Sequence, residues 1–272
     1  MPFTVIKGRF KPAAGTPDGD SVRFQANKSI LWKKLDGKPA RIGTSPKTKG
    51  TVQLRFEGID AIEKAATQPL ASDAKRNMFK LIGYSDTTPA PQGYILARMT
   101  ENKTGRPICF VFAGKTSLSD GSEIRLTPIM LRSSVNYKQI RDGFAYPLYY
   151  NTLFAELRVE FTKALRTAKQ AGRGYWPTDA TRSGVVVTGK GSLATTKPIW
   201  PKLWRRLQEY LRKPRQLSKF IDWLADKNER IDILSTMEER GLQDLVEVKG
   251  RKIRLKEAPE NLRVRGKAGR RK

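Results

Sequence analysis

Two short stretches of this chain place acidic and basic side chains at spacings that suit chemistry on a phosphate group. In PDGDSVRF, Asp18 and Asp20 flank a glycine just before an alternating segment. In RFEGIDAIEK, Arg55 is followed by Asp60 after four residues and by Glu63 after two more. Carboxylates hold hard metal ions, and an arginine fork grips two phosphate oxygens without losing its proton.

A third stretch, NKTGRP, adds Arg106 on a turn. Each stretch alone also has an ordinary interpretation. An Asp-Gly pair is a common turn signal, charges at strand ends are usually exposed, and a glutamate shortly after an aspartate often opens a helix. Only their joint presence predicts a site.

The charge of the chain predicts a polyanionic partner. Its 272 residues include 53 Lys and Arg against 26 Asp and Glu, a net charge of +27. The isoelectric point is near 10.4. Nucleic acid is the simplest such partner, and an anionic membrane surface is the lesser alternative.

Histidine is absent from the chain. This absence excludes histidine metal sites, Ser-His-Asp triads and nucleases with a histidine base. A carboxylate is then the natural general base. The single cysteine, Cys109, excludes an internal disulfide, and we expect it to pack as a small hydrophobe.

Neither a secretory signal nor a membrane-spanning segment is visible in the sequence. The first residues, MPFTVIKGRFKPAAG, lack a long apolar stretch, and no apolar run approaches about 18 residues. We therefore expect a cytoplasmic protein without a membrane partner.

Hydrophobic periodicity predicts a chain that begins with strands and continues with helices. Strands are predicted within the first 60 residues and in GYILARM and ICFVFAG. Helical spacing of apolar residues predicts helices over 69–83, 134–143 and 152–172.

The composition changes after residue 178, which predicts a division of the chain. We expect a first domain over 1–178, a Gly/Ser/Thr-rich linker over 179–198, a helical region over 199–248 and a basic, flexible tail over 249–272. The first part is predicted to carry the chemistry. The rest is predicted to add affinity or to choose a partner, and a protein partner there is left open, as is the oligomeric state.

Taken in order, DGDS, RFEGIDAIE and KTGR resemble the motifs of the staphylococcal nuclease (thermonuclease-like) family. That family has Asp-Gly-Asp-Thr, Arg-x4-Asp-x2-Glu and Lys-Tyr-Gly-Arg, and the similarity spans roughly residues 3–178. It implies an α+β fold, an OB-fold five-stranded β-barrel with three helices. A small helical C-terminal extension with a basic tail would follow.

The resemblance also implies a role for each matched residue. Asp20 and Asp60 would ligate Ca²⁺ together with the backbone carbonyl of Ala61. Glu63 would act as the general base on an attacking water. The family cleaves DNA and RNA and leaves 3′-phosphate ends.

The remaining implied roles concern the substrate. Arg55 and Arg106 would stabilise the charge that builds on the phosphate. Lys103 and Tyr149 would bind the substrate, although ordinary packing is an equal alternative for the tyrosine.

Two other functions stay open. The chain has Ala61-Ile62 where the family has Thr-Pro, which favours a non-catalytic nucleic-acid-binding module on the same barrel. The basic amphipathic helices of the C-terminal part would instead suit an interaction or membrane-surface protein.

Overall fold

The computed structural model describes residues 2–266, which form a mixed α+β structure with a barrel-like sheet and several helices. By internal contacts, these residues form two compact units. The first comprises 2–57 and 74–141, and the second comprises 58–73 and 142–266. The predicted boundaries at residues 178, 198 and 248 concern functional domains and stay predictions.

Sixteen strands occur in the described residues. In chain order they are β1 (Phe3–Phe10), β2 (Arg23–Ala26), β3 (Val52–Gln53), β4 (Arg55–Phe56), β5 (Ile59–Asp60), β6 (Gln92–Thr100), β7 (Pro107–Ala113), β8 (Glu123–Ile124), β9 (Tyr146–Pro147), β10 (Tyr149–Tyr150), β11 (Val185–Val186), β12 (Arg230–Ile233), β13 (Glu238–Gly241), β14 (Val246–Lys249), β15 (Lys252–Leu255) and β16 (Leu262–Val264).

Seven α-helices accompany these strands in residues 2–266. They are α1 (Leu70–Ile82), α2 (Pro128–Leu131), α3 (Val135–Arg141), α4 (Ala155–Gln170), α5 (Pro201–Tyr210), α6 (Phe220–Lys227) and α7 (Leu242–Leu245). The three helices predicted before residue 178 are confirmed as α1, α3 and α4. None of the described helices has both the length and the apolar character needed to cross a bilayer.

The first unit is built on a nearly closed, barrel-like sheet. Its strand order is β3-β2-β1-β6-β7-β4, and β8 also pairs with β1. Most neighbours are antiparallel, but β4 runs parallel to β7. Alternating apolar residues fill its interior, among them Val5, Phe24, Ile95 and Phe110, which are completely buried. Cys109 is also completely buried in β7, so its predicted packing role is confirmed.

The second unit contains three smaller sheets. Their orders are β10-β16-β12-β13, β11-β15-β14 and β5-β9. The helix α4 packs its apolar side into this core, and Phe161 is completely buried there. Gly58 has a φ of +80°, and a Cβ at this position would lie 2.7 Å from the Phe161 ring. Only glycine therefore allows the chain to enter β5 so close to α4.

The helical region predicted over 199–248 contains the helices α5, α6 and the short α7, but it also contains strands that were not predicted. Residues 230–233 and 238–241 form the hairpin of β12 and β13. Ile231 is buried on β12, and the buried Asp232 beside it forms ion pairs with Arg263 and Arg265. Pairing with β16 and these ion pairs favour a strand over local helix formation.

The expectation of a flexible basic tail over 249–272 is also corrected. Residues 252–255 and 262–264 are strands β15 and β16, and Ile253 and Leu262 are buried. The apolar side chains that these strands bury lie among many charged residues, so the sequence pattern of the segment did not indicate strands. Residues 267–272 lie outside the described residues.

Candidate active site

In the first unit, the two predicted phosphate-binding arginines share one carboxylate. Glu101 directly follows β6, and it forms ion pairs with Arg55 on β4 and with Arg106 just before β7. The Arg106 Nε lies 3.1 Å from Glu101 Oε2. Burial raises the pKa of Glu101, but Arg55, Thr104 and Arg106 outweigh this and lower it to about 2. Glu101 is therefore ionised and neutralises part of the positive charge of Arg55 and Arg106.

The turn that carries Asp20 is fixed by its own polar groups. The Asp18 Oδ1 atom accepts a hydrogen bond from the Ser21 hydroxyl at 2.6 Å, as in a common aspartate turn. The carbonyl of Asp20 accepts from the Phe56 N–H on β4 at 3.0 Å. The Nε2 atom of the buried Gln139 side chain donates a hydrogen bond of 2.6 Å to the carbonyl of the glycine between the two aspartates. Asp20 thus begins the entry to β2 beside the strand that carries Arg55.

Lys103 is exposed on the turn between β6 and β7. Its backbone carbonyl accepts a hydrogen bond from Lys38 Nζ at 3.2 Å. The resemblance assigns this side chain to the substrate, and the structure leaves it exposed to solvent.

Glu57 is a buried carboxylate that the sequence analysis did not single out. It follows Arg55 by two residues and is 7% exposed. Burial raises its pKa to about 7, against the opposing influence of Arg98 and Arg55. This carboxyl group therefore titrates near neutral pH inside the barrel-like sheet.

In the second unit, the predicted metal ligand and the predicted base converge on one arginine. The Arg205 Nη1 and Nη2 atoms donate to the two carboxylate oxygens of Asp60 at 2.8 and 2.7 Å. The same Nη1 donates to Glu63 Oε1 at 2.8 Å. The Asp60 side chain is 4% exposed, whereas Glu63 and Arg205 are about one-third exposed. Three carboxylate oxygens therefore surround a single positive charge.

A series of contacts to strand β9 fixes the positions of Asp60 and Arg205. Asp60 lies on β5, which pairs with β9 so that Asp60 faces Tyr146. The Trp200 Nε1 donates to the Pro147 carbonyl on β9 at 3.1 Å. Trp200 immediately precedes α5, and its N–H is bound by the Thr181 hydroxyl at 2.9 Å. The strand that carries Asp60 and the helix that carries Arg205 are thereby tied to the same neighbour.

Ala61 and Tyr149 differ in their surroundings. Ala61 is buried directly after β5, between Asp60 and Glu63. Tyr149 is completely buried, and its hydroxyl lies 3.0 Å from the Thr162 hydroxyl. Burial raises the pKa of Tyr149 well above its usual range. In this conformation Tyr149 packs in the core and presents no surface to a substrate.

The basic face of α5 is also largely paired within its own unit. Arg206 binds Glu229 through two hydrogen bonds of 2.8 and 2.6 Å, and Lys202 binds the same carboxylate at 2.8 Å. Glu209 pairs with Arg206 and with Lys227. Much of the positive charge of α5 is therefore paired with carboxylates of the same unit.

The sequence analysis missed the two residues that neutralise the predicted site, Glu101 and Arg205. Glu101 directly precedes the turn that carries Arg106, and this short distance along the sequence was the available signal that the two side chains pair. Arg205 follows the buried Trp204 on an amphipathic helix, which is a weak signal of a half-buried cation. Nothing in the local pattern identifies its partners.

Comparisons with protein-family models and with curated proteins find no match for this chain. In the part of the chain that the structure describes, no group of three or more Cys, Asp or Glu side chains is arranged to hold a metal ion. The arrangement that remains is a pair of carboxylates held by a guanidinium, and separately a pair of arginines held by a carboxylate.

Proposed function

We propose that this chain is a Ca²⁺-dependent nuclease that hydrolyses phosphodiester bonds of DNA or RNA on an OB-type, staphylococcal-nuclease-like barrel. The observation that carries the proposal is the convergence of Asp60 and Glu63 on one cation, with three carboxylate oxygens within 2.8 Å of the guanidinium nitrogens. These are the two acidic residues that the resemblance assigns to the metal and to the base.

The oxygen ligands at Asp60 are of the kind that a hard divalent cation takes. Ca²⁺ binds carboxylate and backbone carbonyl oxygens in flexible geometry, and the Asp60 carboxylate and the Ala61 carbonyl are of those types. Bound there, Ca²⁺ would supply charge to polarise a phosphoryl oxygen and orient the substrate. In this proposal Asp20 contributes a further carboxylate, as the resemblance implies.

The other residues of the chain have roles that follow from their chemistry. Glu63 is one-third exposed, so a water molecule can reach its carboxylate and give up a proton to it. Arg55 and Arg106 present planar forks to the phosphate once Glu101 releases them. The net charge of +27 draws the polyanion to the protein.

Arg205 holds the carboxylate pair in a closed state in this proposal. A guanidinium carries one positive charge, whereas Ca²⁺ carries two and is smaller, so the two cations compete for the same oxygens. Metal binding therefore requires Arg205 to move away from Asp60 and Glu63.

The second candidate is a non-catalytic nucleic-acid-binding module. The same contact favours it, because a permanent Arg205 ion pair would replace the metal and leave the carboxylates with a structural role. The high positive charge then serves binding alone.

The test is cleavage of single-stranded DNA by the full chain, with Ca²⁺ and with the chelator EGTA. We compare the unmodified protein with Glu63→Gln and Arg205→Ala, and Arg212→Ala serves as a control for charge loss at an exposed position just after α5. The proposal expects Ca²⁺-dependent cleavage that falls by about 100-fold or more in Glu63→Gln.

The outcomes separate the candidates. Cleavage by Arg205→Ala that greatly exceeds that of the unmodified chain supports a nuclease held closed by Arg205. Binding of DNA without cleavage by any variant supports the binding module and removes the nuclease proposal.

A further inference from the structure

A long loop of the first unit is built directly onto the turn that carries Arg106. This segment, residues 36–50, is called the 36–50 loop below. It begins at Asp36, whose carbonyl accepts from the Thr100 N–H at 2.8 Å. Further along, the Arg41 N–H donates to the Gly105 carbonyl at 3.1 Å. The loop is therefore exposed but held in place by the backbone of its neighbour.

Gly105 permits this close approach. It has a φ of +70°, and a Cβ there would lie 2.5 Å from the Pro39 carbonyl oxygen and 3.3 Å from the Arg41 nitrogen. Any other residue would push the 36–50 loop away from the turn. The glycine of the KTGR stretch thus positions Arg41 beside it.

The loop and the turn enclose a cavity of about 520 Å³. Its chemistry is that of an anion site: arginine forks and hydroxyl groups line it. The residues that matter are Arg23, Arg41, Arg106, Thr44, Ser45 and Thr48. Among the described residues that line the cavity, none is an aspartate or a glutamate.

Two of these arginines lack a carboxylate to balance them. Arg23 donates to the Thr51 hydroxyl at 2.6 Å and to the Thr51 carbonyl at 2.8 Å, and both acceptors are uncharged. Neither Arg23 nor Arg41 forms an ion pair with any described residue. Burial lowers the pKa of Arg23, and the positive charge of Arg41 lowers it further. Two like charges held this way repel each other until an anion lies between them.

We propose that this cavity binds a backbone phosphate of a nucleic-acid strand, next to the phosphate that Arg106 engages. The arginine forks would grip the phosphate oxygens, and the hydroxyls of Thr44, Ser45 and Thr48 would donate the remaining hydrogen bonds. Because Arg106 lines the cavity and also belongs to the candidate active site, one strand can occupy both places. This inference rests on the proposed nucleic-acid function, whether or not the chain cleaves its ligand.

The cavity size agrees with such a ligand. Sites for small molecules and cofactors commonly measure about 300–1,000 Å³, so a phosphate with part of its sugar fits. A free phosphate or nucleotide would use the same groups, and the experiment separates these sources.

The experiment measures binding of a short single-stranded DNA to the full chain by fluorescence anisotropy, with a chelator present to prevent cleavage. Arg41→Gln removes one cavity arginine. Lys47→Gln is the matched control, because Lys47 is exposed in the same loop, carries the same charge and does not line the cavity. We expect Arg41→Gln to weaken binding by about fivefold to tenfold and Lys47→Gln by less than about twofold.

A second arm identifies the phosphate. A series of oligonucleotides carries a single neutral methylphosphonate linkage at successive positions. For the unmodified chain, neutralising the linkage that occupies the cavity weakens binding. For the Arg41→Gln variant, the same methylphosphonate linkage should cause little further loss of DNA affinity. The change in the protein and the change in the DNA remove one shared interaction.

A third arm uses inorganic phosphate alone, titrated calorimetrically. If phosphate binding depends on Arg41 but DNA binding does not, the cavity takes a free anion and the inference is overturned. Equal losses for Arg41→Gln and Lys47→Gln also overturn it, while DNA binding by the unmodified chain leaves the proposed function standing. A chain that does not bind nucleic acid at all overturns both.

Discussion

The Arg205 guanidinium meets the Asp60 carboxylate fork to fork, with both oxygens of the acid accepting hydrogen bonds at 2.8 and 2.7 Å. Burial lowers the pKa of Arg205, but the charges and hydrogen bonds of Asp60 and Glu63 outweigh it and raise that pKa well above its usual range. The arginine is therefore permanently charged. Asp60 is almost completely buried, and Arg205 places the opposite charge directly beside its carboxylate.

Arg205→Ala should destabilise the protein unless a metal ion replaces the lost charge. Removing one partner of a buried ion pair costs about 3 kcal/mol or more, because the other charge remains without compensation. We expect a lower melting temperature in EGTA and a partial recovery in millimolar Ca²⁺. Thermal unfolding in both conditions measures this.

Arg212→Ala is the control for that prediction, because Arg212 is exposed and lies just after the end of α5. Its melting temperature should change little and should not respond to Ca²⁺ differently from the unmodified chain. Recovery of the Arg205→Ala variant that is equal in Na⁺ and in Ca²⁺ at matched ionic strength would contradict a divalent site.

Glu101→Gln should increase the affinity for nucleic acid. A neutral amide no longer offsets the charges of Arg55 and Arg106, so both forks become available to phosphate groups. We expect single-stranded DNA to bind about fivefold tighter and with a steeper salt dependence, measured by anisotropy in a chelator. Glu123→Gln, on the exposed strand β8, tests the effect of charge removal alone. Weaker binding by Glu101→Gln would show that this carboxylate holds the arginines in their useful position.

The free energy of unfolding should fall between pH 4.5 and 7 because of Glu57. Its pKa is about 7 in the folded protein against an ordinary value of 4.5, so the unfolded chain releases this proton first. Stability from this group is then greatest below pH 4.5, decreases as pH rises to about 7 and stays constant above that.

Glu57→Gln should remove this slope and stabilise the protein at pH 8 by about 3 kcal/mol. Chemical denaturation at pH 5 and pH 8 measures the difference. The exposed Asp86 offers a comparison, since Asp86→Asn also removes one carboxylate but from the surface. An unaltered slope in Glu57→Gln would assign the pH dependence to other groups.

The local sequence pattern was sufficient to predict the main helices in the first part of the chain. Apolar residues at helical spacing predicted α1, α3 and α4 to within a few residues, because each helix buries one continuous stripe. The Arg-x4-Asp-x2-Glu spacing singled out Asp60 and Glu63 together, with a metal role for the first and a base role for the second. In the structure both carboxylates contact one cation, the Arg205 guanidinium.

The local sequence pattern could not identify Arg205 as the cation that contacts these carboxylates. Arg205 is 145 residues from Asp60 along the chain, and the periodicity of α5 shows which side is polar but not what that side meets. The strands β12, β15 and β16 were missed for a related reason. Their apolar residues are few and lie among many charges, and pairing with distant strands decides their conformation.

The pairing of β10 with β16 has a consequence for synthesis of the protein. Tyr150 lies opposite Val264, so this sheet is incomplete until residues 262–264 have been translated. Asp60 likewise leaves the ribosome 145 residues before its guanidinium partner. At about 5–20 residues per second, that interval is on the order of ten seconds. During it, the nascent chain carries the carboxylates of Asp60 and Glu63 without the hydrogen bonds that Arg205 donates to them in the folded protein.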